Sequence, residues 1–131
     1  MPHAVRTCAD GQHEAASNVI DTQVFQALDN ELGSAAMDDM IRIFIEHANT
    51  SIATIEQRVS NGPPEDIAAE AHRLKGSSRL LGFTRLGALC EMLEQTAASI
   101  DTADQNVLAA QLREAYTDAC EWCRTRSLAR L

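Results

Sequence analysis

The chain has 131 residues, a formal net charge of −8 from 11 basic and 19 acidic side chains, and only 4% aromatic residues. That length suits one domain with a real core rather than two, and the acidic balance argues against nucleic acid as a partner. There is no apolar run near the ~18 residues of a membrane span and no signal-like segment after Met1, so neither membrane nor export is expected and the cytoplasm is the default location.

With so few aromatic side chains, the core must come from Leu, Ile, Val, Met and Ala, which favours helices over sheets. Residues 1–19 mix Pro, Gly, Asp, Ser and Asn without periodicity and read as a mobile leader. His3 and His13 lie there and suggest no role. Asp21 is placed as an N-cap, with Ile20 and Phe25 as a hydrophobic staple. A short helix with Val24, Phe25, Leu28 and Leu32 then stops at Gly33.

Ser34 is expected to cap the next and longest helix, with Asp38 and Asp39 near its positive end. Its stripe is Met37, Ile41, Phe44, Ala48, Ile52, Ile55 and Val59, and His47 falls on its flank as a surface residue. Asn61-Gly62-Pro63-Pro64 ends it and opens a third helix, with Glu65 and Asp66 in the first turn. Ile67, Ala71, Leu74, Ser78 and Leu81 form the buried stripe of that third helix.

His72 lies roughly 140° from the centre of this stripe and Gly76 roughly 180°. The histidine therefore faces solvent, and its i+4 neighbour on the outer face has no side chain. Mid-helix glycine costs about 1 kcal/mol relative to alanine, and clearance for something large approaching the imidazole accounts for it. Arg73, Lys75, Arg79 and Arg85 set a local basic patch around this histidine in an acidic chain.

A fourth helix is expected from Thr84 to about Ile100, with Leu86, Leu89, Cys90, Leu93, Ala97 and Ile100 inward. Thr102-x-x-Gln105 reads as a capping box opening a fifth, whose inward set is Leu108, Leu112, Ala115, Ala119 and Trp122. Short connections force antiparallel packing. The expected fold is all-α, an up-down-up-down four-helix bundle over residues 20–126 with a short additional N-terminal helix, and 127–131 form a tail.

The tight link at Gly82-Phe83-Thr84 fixes which residues lie level across the third and fourth helices. With Phe83 as pivot, Glu94 lies opposite His72, about 80° from the inward centre of its own helix. A carboxylate there can accept the Nδ1–H and leave Nε2 as the nucleophilic nitrogen. The alternative is a surface ion pair of Glu94 with Lys75 or Arg79, and Glu91 and Gln95 are within a turn of the same position.

Cys8, Cys90, Cys120 and Cys123 read as thiols rather than disulfides. Cys120-x-x-Cys123 has neither a second CxxC nor the strand-turn-helix setting of a redox pair. No histidine or carboxylate pair shows metal-ligand spacing.

The run His72-x-x-Lys75-Gly76-Ser77-Ser78-x-x-x-Gly82, mid-helix in a bundle, resembles the histidine-containing phosphotransfer (HPt) domains of two-component phosphorelays. The likeness extends over about residues 20–126 and includes Leu32-Gly33 and Leu93-Glu94; Arg79 and Phe83 stand where the family often has small residues. The resemblance implies that His72 accepts a phosphoryl group on Nε2 from a receiver-domain aspartate and passes it to another receiver. Lys75 would neutralise the phosphoryl oxygens, Gly76 would admit the receiver, and Glu94 would orient the ring. Arg73, Arg79, Arg85 and Ser77 would meet the partner.

The implied partners are the receiver domains of a hybrid sensor kinase and of a response regulator. The chain would be a monomeric carrier rather than an enzyme, without a cofactor of its own, the magnesium residing in the receiver. The competing reading is a phosphate-independent module that sequesters a partner protein. Pure binding, however, needs none of His72, Lys75 or Gly76.

Overall fold

A computed structural model describes residues 19–129, with side chains through Arg126. The expectations for Cys8, His3 and His13 lie outside the described residues. Among the described residues there are helices and no strands: α1 Thr22–Leu32, α2 Ser34–Asn61, α3 Pro64–Leu81, α4 Thr84–Thr96 and α5 Thr102–Ala129. The last four close a ring in which α2 meets α3, α3 meets α4, α4 meets α5 and α5 meets α2, while α1 lies on α2 and α3. This is the expected antiparallel bundle with one extra helix. None of these helices is long and apolar enough to cross a membrane.

The two stripes that matter most for the site are buried as the periodicity predicts. All seven α2 positions and all five α3 positions face the core. The first helix is also built as expected: Asp21 Oδ1 accepts from the Gln23 and Val24 amides at 3.0 and 3.3 Å, and Ile20 and Phe25 are buried together as the staple.

Three local expectations are corrected. Ser34 does not cap α2; Gly33, at φ +88°, both ends α1 and serves as the N-cap of α2, so one residue joins the two helices. Thr102-x-x-Gln105 is not a capping box. Asp101 caps α5, its Oδ1 accepting from the Asp104 amide at 2.8 Å, while the buried Gln105 side chain donates to the Ala97 carbonyl at 2.8 Å. That bond satisfies a carbonyl at the end of α4, which stops at Thr96 rather than near Ile100.

The α5 inward face is rotated as well. Gln105, Ala109, Leu112, Ala115, Ala119 and Cys123 are buried, whereas Leu108 and Trp122 are only partly covered. With alanines on several faces of this helix, hydrophobic periodicity sets its phase weakly. The helix also continues through Ala129, into the expected tail.

One end of the bundle fixes the register of α3 against α4. Gly82 sits at φ +90°, and the Gly82 and Phe83 amides donate back to the Arg79 and Ser78 carbonyls at 3.1 and 2.8 Å, a Schellman closure. Phe83 is fully buried. Its ring stacks on Phe44 at 5.2 Å and meets Trp122 edge-on at 6.3 Å, and Trp122 meets Phe25 at 4.6 Å. The Asp21 amide donates to the Gly82 carbonyl at 2.6 Å. Arg126 bridges Asp29 and Asp38, 3.1 Å from each, tying α1 to α2 and α5. A pivot held this firmly cannot slip by a residue, and everything level along α3 and α4 inherits that register.

Candidate functional site

His72 projects from the middle of α3 with 66% of its side chain exposed. Its Nδ1 lies 2.8 Å from Glu94 Oε2 on α4. The second carboxylate oxygen, Oε1, is ion-paired with Lys75 Nζ at 2.7 Å. The geometry therefore joins both alternatives left open by the sequence, with Glu94 holding the histidine and the lysine at once.

The Lys75 hydrogen bond is the largest influence on the Glu94 carboxyl and pulls it below its ordinary value; the His72 hydrogen bond and charge add to this, and desolvation opposes it. An ionised carboxylate only accepts hydrogen bonds. The contact with His72 is then made by Nδ1–H, and in the neutral ring the remaining lone pair lies on Nε2, away from Glu94.

Gly76 leaves the outer face of α3 bare one turn from His72. A Cβ built on it would have no atom within 4 Å, so nothing inside the protein requires a glycine there. The helix has accepted the propensity cost of glycine on its outer face, one turn from His72.

The four cations of the basic patch are each matched in space by carboxylates. Arg73 reaches Glu70 within α3 at 2.5 Å. Arg79 pairs with Glu91 of α4, which draws the Glu91 carboxyl below its ordinary value, first through the hydrogen bond and then through charge. Arg85 turns toward α5, 3.7 Å from Glu114 and 3.8 Å from Asp118. It is therefore not brought into the His72 cluster. Sequence order placed it near the histidine; the helical phase of α4 sends it to the opposite side.

Ser77 is exposed, its hydroxyl donating to the Leu74 carbonyl at 3.2 Å. With Arg73 it borders a cavity of about 360 Å³ between α2 and α3, to which α2 contributes His47, Thr50 and Ser51. His47 is exposed as expected. Phe83, buried among aromatic rings, faces no partner, so its departure from the common family pattern concerns packing.

Gly87 was not singled out from sequence. A Cβ there would come within 3.0 Å of Arg79 Cγ, so this glycine lets the arginine stem cross α4 on its way to Glu91. A glycine in a buried position of an amphipathic helix was the available signal.

Cys90 and Cys123 are buried free thiols, and Cys120 is partly exposed. Burial pushes Cys90 and Cys123 each up to about 12, where the nucleophilic thiolate is absent near neutrality. Among the described residues no group of three or more His, Cys, Asp or Glu side chains is arranged to hold a metal.

Residues 39–122 match the family model of the Hpt domain. The chain belongs to the Hpt domain family. Hpt domains carry phosphoryl groups on histidine in phosphorelays, generally as carriers rather than catalysts, and they interact with receiver domains. Among solved structures, a histidine-containing phosphotransfer protein from maize, ZmHP2, superposes with a TM-score of 0.75 at 21% identity, over 86% of this chain and 93% of the maize chain. That likeness speaks for a shared Hpt bundle. No match is found among curated proteins.

Proposed function

We propose that this Hpt domain is a phosphorelay intermediate. His72 accepts a phosphoryl group on Nε2 from the aspartyl phosphate of one receiver and passes it to the aspartate of another. The observation that supports this best is an exposed imidazole whose Nδ1 is held by Glu94 while Gly76 clears the outer approach.

Each neighbour then has a distinct part. Glu94 keeps the ring in the tautomer that presents the Nε2 lone pair. Lys75 supplies positive charge to the phosphoryl oxygens. Gly76 admits the receiver backbone, and Arg73, Ser77 and Arg79 face its rim. The receiver contributes the aspartate and the magnesium, so this chain acts as a carrier with no cofactor of its own. Its partners would be receivers of a hybrid sensor kinase and of a response regulator, met by a cytoplasmic monomer.

Incubation with a panel of phosphorylated receivers tests the reading. Acid-labile, base-stable label should appear on the protein and should be absent from His72→Gln with unchanged helicity. Retention of label by His72→Gln would falsify it.

A further inference from the structure

We propose that Glu94 is a latch on Lys75: it holds the ammonium at the Nδ1 edge of His72 in the resting protein and releases it to the phosphoryl group once Nε2 is modified. This rests on the reading of His72 as the phosphoryl acceptor.

The two oxygens of one carboxylate are committed to different partners, Oε2 to His72 Nδ1 at 2.8 Å and Oε1 to Lys75 Nζ at 2.7 Å. Lys75 is thereby engaged at the ring edge opposite the nitrogen that would bear the phosphoryl group. Lysine is a compact point charge on a flexible stem, able to leave one anion for another. Only 20% of its side chain is exposed, so water screens this pair less than an ordinary surface pair. Arg79, on the same flank, is already taken by Glu91. Glu94 and Lys75 are therefore matched one to one.

The electrostatics change sides on phosphorylation. When the Nε2 lone pair attacks phosphorus, the donor's bond to phosphorus breaks and the leaving group departs with that electron pair. The ring gains positive charge while its Nδ1–H stays bonded to Glu94. The phosphoryl group brings close to two negative charges. Glu94 now faces a cationic ring and no longer depends on Lys75 for neutralisation. The ammonium finds a stronger anion at Nε2. Glu94 is thus a positioning residue with two opposed effects, fixing the ring and restraining the lysine.

Phosphoramidate as a small donor tests this without a receiver: P–Nε2 forms, the donor P–N bond breaks and ammonia leaves. Glu94→Gln retains an amide oxygen for Nδ1–H but gives up the charge that holds Lys75. Labelling rates are compared for the Glu94→Gln change in the native background and in Lys75→Ala. The rate ratio in the native background should exceed that in Lys75→Ala by about two- to fivefold, the scale of a partly shielded ion pair. Equal ratios in the two backgrounds overturn the latch, because any gain would then come from removing a negative charge alone.

The Lys75 ammonium NMR signal is the second readout. It should move when the native protein is phosphorylated, and in the resting protein when Glu94 is changed to Gln. A signal unmoved by phosphorylation also overturns the latch. Failure of His72 to take label, or equal label on His72→Gln, overturns instead the acceptor reading on which the latch depends.

Discussion

Gly76 separates folding from access more cleanly than any other position in the site. A Cβ added there touches nothing within 4 Å, so Gly76→Ala introduces no clash and removes a backbone-entropy cost. Stability should rise by up to about 1 kcal/mol. For a domain of this size that is an increase of about 3–6 °C in Tm, read by thermal melting followed by circular dichroism. Gly76→Gln should leave the melt close to native, since its longer side chain also extends into solvent. It should still be labelled by phosphoramidate, which is small enough to reach Nε2 past one side chain. Transfer from a phosphorylated receiver should fall by about a hundredfold or more, because a side chain one turn from His72 would stand between the imidazole and a docked domain; ~2.8 kcal/mol of lost transition-state binding corresponds to that factor. Native-rate transfer from the receiver to Gly76→Gln would refute the clearance argument. A destabilised Gly76→Ala would refute the claim that nothing in the fold needs this glycine.

Lys75→Ala should slow receiver-dependent phosphorylation by about 10- to 100-fold, on the order of 1.4 to 2.8 kcal/mol in the barrier; a loss of thermal stability in proportion to the loss of rate would mark the lysine as structural. Gly82→Ala should destabilise the domain by about 1–3 kcal/mol, since the residue sits at φ +90° and a Cβ would come within 2.8 Å of the Asp21 carbonyl oxygen; an unchanged urea midpoint would contradict that. Glu94 has a folded-state pKa below the ordinary 4.5, with Lys75 as the largest cause. Its contribution to stability is therefore present above about pH 4.5 and lost as pH falls through the depressed value, so Glu94→Gln should flatten the acid limb of Tm against pH, and parallel curves for the two proteins would exclude the linkage. In Glu94→Ala the Nδ1–H tautomer of neutral His72 should no longer dominate, as read from ring 15N shifts, whereas Glu91→Ala should leave it in place because Glu91 is occupied by Arg79; the opposite pattern would assign ring orientation to Glu91.

The amino-acid sequence by itself determined the helical fold, the buried faces of α2 and α3, and the outward placement of His72 beside Gly76. Those features follow from a period of 3.6 residues and strongly contrasting side chains, information that is local to each helix. The level pairing of His72 with Glu94 was also legible, because a two-residue link between antiparallel helices leaves little freedom in register. The aromatic cluster around Phe83 and the hydrogen bond from Asp21 to Gly82 are what hold that register.

What only the tertiary structure decided was how charges and caps are shared between elements. Proximity in sequence grouped Arg85 with His72, but the phase of α4 turns it to Glu114 and Asp118. Gln105 looked like a local cap and instead serves the end of the preceding helix. The alternatives for Glu94 proved to be simultaneous, since one carboxylate has two oxygens and α3 offers both a histidine and a lysine within reach. Periodicity fixes which way a side chain leaves its own helix. Which of several partners it meets depends on distances between helices, and those are set by packing of the whole core.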